Sequence, residues 1–159
     1  MAEQKHTEQA LHVFDTLCAM MEKNKWHYTP NSEKLFIDCK AQGDDLPIDI
    51  NIRVDSLRRT VSLLSKLPCV AQEDKRIDMA IAVNAVNARI VDGSFDYDIK
   101  TGDLYFRMTN SFFESEIGGE VFEYMLICSF GTIDEYNDKF LMLAKGIITV
   151  EQFVSSIMQ

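Results

Sequence analysis

Hydrophobic positions in this chain switch repeatedly between the period of a helix and the period of a strand. Ala10, Leu11, Phe14, Leu17, Cys18 and Met21 recur three and four apart, one face of a helix from about Thr7 to Lys23 that Asn24-Lys25 closes. Beyond Trp26 and Tyr28, Pro30-Asn31-Ser32 reads as a turn. Alternation then takes over. Leu35, Ile37, Cys39 and Ala41 line one side of a first strand, which ends in a Gln42-Gly43-Asp44 turn. Ile48, Ile50, Ile52 and Val54 alternate with Asp49, Asn51 and Arg53 in a second strand. A third covers about Leu57 to Leu64, and Pro68 ends the strand region. A tight connection at Asp55-Ser56 sets Val54 opposite Leu57, Ile50 opposite Val61 and Ile48 opposite Leu63. That register keeps apolar partners together, but it also opposes Arg53 to Arg58 and Ile52 to Arg59.

The helical period returns at about Arg76 to Ile90, with Ile77, Ala80, Ile81, Val83 and Val86 as the buried set. Gly93 frees the backbone for a hairpin in which Phe95, Tyr97 and Ile99 face Met108, Phe106 and Leu104. Either a two-residue turn at Thr101-Gly102 or a four-residue loop from Lys100 to Asp103 gives that register, which also sets Asp96 across from Arg107. After Gly118-Gly119, the segment Val121 to Phe130 is apolar nearly all round and reads as a helix. Thr132 and Glu135 fit a capping box opening a further helix through Ile133, Tyr136, Phe140, Leu143, Ala144 and Ile147, with Gly146 as its stop. Thr149 and Gln152 cap a last short helix through Phe153 and Ile157. Antiparallel strands separated by helices predict one α+β domain over residues 1–159, a sheet of about five strands packed by helices in the order α-βββ-α-ββ-α(α).

Composition narrows the function. Sixteen Lys and Arg against 25 Asp and Glu give a net charge of −9, and Arg58-Arg59 is the only adjacent basic pair of any weight. Such a surface repels phosphate backbones and anionic lipid, so neither nucleic acid nor membrane is an expected partner. No apolar stretch has the length to span a bilayer, and the polar start Met1-Ala2-Glu3-Gln4-Lys5 leads into no signal core. Cys18, Cys39, Cys69 and Cys128 lie far apart without C-x-x-C spacing, as expected of buried free thiols in a reducing cytoplasm.

Reaction chemistry is hard to find. His6, His12 and His27 have neither metal-ligand spacing nor a partner nucleophile, and phosphate loops and nucleophile elbows are missing. Asp96, Asp98 and Asp103 resemble a calcium loop, but Lys100 and Thr101 stand where its fifth and sixth positions need an oxygen ligand and Gly. The expectation is therefore no enzyme, no metal and no cofactor. Asn84 and Asn87 share a face of the second helix, where they either grip a ligand or, as buried polar groups more often do, satisfy backbone beyond Gly93. The eight Met residues fall mostly in apolar segments and read as core filling.

The stretches Val83-Asn84-Ala85-Val86-Asn87-Ala88, Gly93-Ser94-Phe95-Asp96-Tyr97-Asp98 and Gly102-Asp103-Leu104-Tyr105-Phe106-Arg107 resemble the YbjN-like family of bacterial proteins. A strand ending in Leu67-Pro68 and the acidic-aromatic Asp134-Glu135-Tyr136 in a closing helix are similar to that family too. The resemblance implies a fold like that of type III secretion chaperones. It also implies a small, dimeric, non-enzymatic domain of sensory-transduction-regulator or chaperone-like type, and it brings no catalytic residue with it.

Three function classes follow. The first is a protein-binding, chaperone-like or regulatory homodimer. Its candidate partner or dimer contacts are Phe122, Leu126 and Phe130, on a helix that its own C-terminal helices, a second subunit or a partner must cover, together with any exposed strand edge. The second is a small-ligand sensor with a pocket between sheet and helices near Asn84 and Asn87. The third is an enzyme of unrecognised class.

Overall fold

The computed structural model describes residues 2–158. Six strands form one antiparallel sheet in the order β1-β2-β3-β4-β6-β5, spanning Tyr28–Asn31 (β1), Phe36–Gln42 (β2), Pro47–Asp55 (β3), Thr60–Val70 (β4), Ser94–Tyr97 (β5) and Asp103–Ser111 (β6). The helices are α1 (Ala2–Lys23), α2 (Arg76–Asn87), α3 (Gly119–Ala144) and α4 (Val150–Ile157). The α+β class holds, with one strand more than expected. β1 escaped notice because three of its four residues are exposed and give no alternation.

One sheet face makes the core. Ile37, Cys39, Ile50, Ile52, Val54, Val61, Leu63, Phe95, Leu104 and Phe106 are all buried there. Fully burying side chains of this size contributes about 1.5–3 kcal/mol each. The opposite face is polar, with pairs such as Asp38 with Asn51, Ser62 with Thr109 and Asp96 with Arg107.

Two registers differ from the expected ones. Val54 stands opposite Val61, Ile52 opposite Leu63 and Arg53 opposite Ser62. The turn is longer because the Asp55 carboxylate accepts the amides of Leu57 and Arg58, while Arg59 closes it at φ 54°. The Arg53–Arg58 opposition therefore never arises. In the second hairpin Phe95 faces Phe106, Tyr97 faces Leu104 and Asp96 faces Tyr105. The chain turns through Asp98–Asp103, with Gly102 at φ 81° against the Ala71 carbonyl, and Ile99 stays exposed. Pro68 does not end β4; the strand runs on to Val70, and its ladder with β6 is irregular between Lys66 and Val70, across the proline that has no N–H to give.

The helices carry further corrections. α1 buries Val13 and Met20 with Ala10, Phe14, Leu17 and Met21, while Leu11 is exposed. α2 ends at Asn87 and buries Met79, Ala82, Val83 and Val86, so Ile77 and Ile81 face outward instead of the core. Most of the chain beyond Gly118 is one helix. α3 passes through Gly131 and Thr132 without a cap, because Phe122, Leu126, Ser129, Ile133, Tyr136, Phe140 and Leu143 recur at alternating spacings of four and three and are all buried. A break at Thr132 would split that stripe. α3 ends where expected, with Gly146 at φ 68° and the Ile147 amide donating to the Met142 carbonyl at 2.9 Å. The Thr149–Gln152 capping box of α4 is present as expected.

Candidate functional site

The twenty-six residues of α3 cannot all face the sheet, and what they leave outside is apolar. Phe122 and Leu126 lie fully in the core and Phe130 is half-buried, stacked on Trp26 with ring centroids 5.3 Å apart. Phe122 and Leu126 are therefore not surface contacts. The outward stripe is Val121, Tyr124 (54% exposed) and Ile127 (56% exposed), with half-buried Cys128 beside it. The sequence carried this signal in the all-round apolar run, but the choice of face needs the heptad phase set by Ile133 to Leu143.

Beside the stripe, the segment Ala88–Asp92 that leads from α2 to β5 stands off from α3 and leaves an open cleft of about 680 Å³. Val91 crowns it, 93% exposed. The Tyr124 hydroxyl donates to the Asp92 carboxylate across the cleft. That bond, before any other cause, pushes the Tyr124 phenol up to about 12. Tyr136 and Thr132 lie further along, with Glu135 and Arg89 on the rim.

The two asparagines part company. Asn87 spends both ends of its amide on one strand residue: Nδ2 donates to the Phe95 carbonyl at 2.9 Å and Oδ1 accepts the Phe95 amide at 2.8 Å. Asn84 is exposed and does not join it. β5 is an edge strand, so Asn87 occupies backbone groups that would otherwise be open to an added strand. The other edge, β1, contains Pro30, which offers no donor. Each edge is thus blunted at one position, Phe95 on β5 and Pro30 on β1.

The remaining candidates have ordinary partners. Asp96 pairs with Arg107 at 2.6 Å, Asp103 with Lys66 at 2.8 Å, and Asp98 accepts the Lys100 amide, so the three carboxylates do not converge. The hydrogen bond from Lys66 holds the Asp103 carboxyl below its usual value. Burial pushes the Cys18, Cys39 and Cys69 thiols up to about 11, away from nucleophilic use near neutrality. His12 and His27 are exposed, and His6 sits in a small polar pocket with Arg59 and Glu114. Among the described residues no group of three or more His, Cys, Asp and Glu side chains could hold a metal ion, and no helix is long and apolar enough to cross a membrane.

No protein-family model and no curated protein matches this sequence. Solved structures do. The chain is similar to YbjN from E. coli, described as a candidate transcription regulator, at 13% identity and a TM-score of 0.57, over 84% of this chain and 91% of that one. It is similar to a chain of the ExsC–ExsE complex at 16% identity and a TM-score of 0.57, over 80% and 92%. A third likeness, to a chain of the HopA1–SchA chaperone–effector complex, has 12% identity and a TM-score of 0.50 over 79% and 91%. The chain thus has a YbjN-like, chaperone-like α+β fold.

Proposed function

We propose that this chaperone-like fold is a non-enzymatic domain that binds another polypeptide, in a chaperone or regulatory role. The observation that carries the reading is the exposed stripe Val121, Tyr124 and Ile127 on α3, continuous with Val91 and the cleft. Contiguous apolar surface on a soluble domain is where partners dock. Two of the similar structures are complexes of such a fold with a protein partner, which supports the same use here. Because Asn87 and Pro30 blunt the strand edges, the partner is held by side chains on α3 and not by strand addition at β5.

A homodimer is part of this reading. Ile77 (63% exposed) and Ile81 lie one turn apart on α2, an apolar pair that a second copy would cover. A small-ligand sensor is the second reading, favoured by the size of the cleft, although Asn84 and Asn87 do not line it.

The test is site-resolved crosslinking in the native host, with a photoreactive residue at Ile127 or, as control, at the exposed turn residue Leu57. The expected result is one defined protein adduct from position 127, lost when Tyr124 is changed to Ser. Equal, undefined adducts from both positions would overturn the partner reading.

A further inference from the structure

β5 is shorter than the strand it pairs with, and the difference leaves a lane open in the sheet. β6 runs Asp103–Ser111, but its ladder with β5 covers only residues 104–107, extended by one bond from the Asp98 amide to the Asp103 carbonyl. Before Ser94 the chain bends at Gly93, at φ 76°, and is no longer part of the sheet. Residues 108–111 therefore have a strand on one side only. In an antiparallel ladder, alternate residues turn their N–H and C=O to opposite neighbours. Phe112 donates its amide to the Arg59 carbonyl on the β4 side, and Asp103 accepts from Asp98 on the β5 side. The even positions of β6 thus bond toward β4 and the odd ones face the β5 lane. Thr109 and Ser111 point their backbone N–H and C=O into the open stretch, and among the described residues none of these groups has a partner. A cleft of about 240 Å³ lies there, lined by Gly93, Met108 and Thr109 from the sheet and by Val121, Tyr124 and Met125 from α3.

We propose that this lane takes an extended segment of the partner polypeptide, which lies in line with β5 and pairs with the backbone of Thr109 and Ser111. Only an extended chain repeats its donors and acceptors at the spacing of these two residues, about 7 Å. Directly opposed residues share a face of the sheet, so partner side chains opposite Met108 and Asn110 turn toward Val121, Tyr124 and Met125. Those opposite Thr109 and Ser111 turn to the polar face. The occupant therefore carries apolar residues at alternate positions and no proline at the bonding ones. Asn87 closes the outer edge of β5 at Phe95 and does not reach this stretch of β6. The lane is continuous with the exposed stripe on α3 through Val121 and Tyr124, so one partner can use both. This inference rests on the partner-binding reading and adds the conformation of the partner and the backbone groups that hold it.

The experiment uses a short fluorescent peptide of alternating Val and Thr, and a second with the same side chains but N-methyl groups on its threonines, which removes the donors facing β6. Binding is followed by anisotropy and backbone exchange by NMR. Thr109→Pro deletes the lane donor without costing a bond to β4, because that N–H faces away from β4. Thr109→Ala is the control: it keeps the N–H and loses the same hydroxyl contact with Ser62. The expected result is that the Thr109 and Ser111 amides exchange freely in the free protein and become protected when the unmethylated peptide binds. Thr109→Pro should weaken that peptide roughly fivefold to tenfold, the scale of one lost backbone hydrogen bond, while Thr109→Ala changes little and the methylated peptide fails to bind. If Thr109→Pro does not fold, the methylated peptide and the exchange rates decide. Protection of both amides in the free protein overturns the proposal, and protection that rises with protein concentration names a second copy as the occupant instead. If Thr109→Pro and N-methylation change nothing while Tyr124→Ser abolishes binding, the lane fails and the α3 face stands. No binding of the unmethylated peptide also overturns the lane, and crosslinking at Ile127 then reports separately on partner binding.

Discussion

Asn87 holds Phe95 by both of its backbone groups, at 2.8 and 2.9 Å, so that a helix side chain completes the edge of the sheet. Neither end of that amide is idle. Asn87→Ala leaves a half-buried N–H and C=O without partners, and two such losses cost about 2–4 kcal/mol. Asn84→Ala, at an exposed position, falls within about 0.5 kcal/mol of wild type. Urea melts of the two variants check the difference, and matching midpoints would show that the bonds to Phe95 do not stabilise the fold. Faster hydrogen exchange at the Phe95 amide in Asn87→Ala is the local signature.

The inward and outward rows of β3 give a second prediction. Ile50 is buried and Asn51 is exposed with its amide on Asp38. Ile50→Ala removes core volume and costs about 2–5 kcal/mol. Asn51→Ala loses a single exposed hydrogen bond, about 0.5–1.5 kcal/mol at most. Thermal melts that ranked them the other way would reverse the faces of the sheet.

These faces were legible in the sequence because strand alternation has period two. The expected pairings were displaced by four residues in the β3–β4 hairpin and by two in the β5–β6 hairpin, yet both displacements are even, so the residues that stay in the strands kept their faces, while Leu57 and Ile99 fell into the turns and are exposed. Turn length was not legible, since it depends on Asp55 gathering two amides and on Arg59 adopting a positive φ. The α2 face was misread for a different reason. Ile77 and Ile81 are more hydrophobic than Met79 and Ala82, but the face of α2 that meets the core is the one carrying Met79, Ala82, Val83 and Val86, and the isoleucines are left outside. The candidate site inherits both effects. That α3 had apolar residues to spare was visible, whereas the face they occupy was not, because Thr132 with Glu135 fitted a capping box and hid the common phase of the two halves.

Gly131 therefore offers a test of that continuity. It lies within α3, and a Cβ built there meets nothing within 4 Å. Gly131→Ala should stabilise the protein by about 1 kcal/mol, the ordinary helix-propensity difference. A loss of stability would restore a break between two helices at this point.

The thiols make stability depend on pH. Cys39 and Cys69 titrate at about 11 when folded, raised by burial, against about 8.5 for an exposed thiol. A folded value above the unfolded one means that the contribution is complete below about pH 8.5 and is lost as pH rises toward 11. Unfolding free energy should fall across that window more steeply in the wild type than in a Cys39→Ala, Cys69→Ala variant. Identical slopes from urea melts at pH 8 and pH 10 would remove the thiols from the explanation.

Adjacent residues on α3 separate folding from binding. Leu126 is fully buried among the core side chains, and Ile127, the next residue, is more than half exposed. Leu126→Asp deletes a buried apolar group and places a carboxylate where nothing compensates it, so the variant should be unfolded or destabilised by more than about 4 kcal/mol. Ile127→Asp meets solvent and should leave the melting temperature within a few degrees of wild type, the effect of about 0.5 kcal/mol at an exposed site. The same change puts a charge in the apolar stripe beside Tyr124, and partner capture should fall below detection. Both halves of the result matter. If Ile127→Asp folds and still captures the partner at wild-type affinity, the α3 stripe is not the docking face, and Ile77 and Ile81 on α2 become the surface to change next. If Leu126→Asp instead folds normally, the phase assigned to α3 is wrong, and with it the division between the core side of this helix and the side left for a partner.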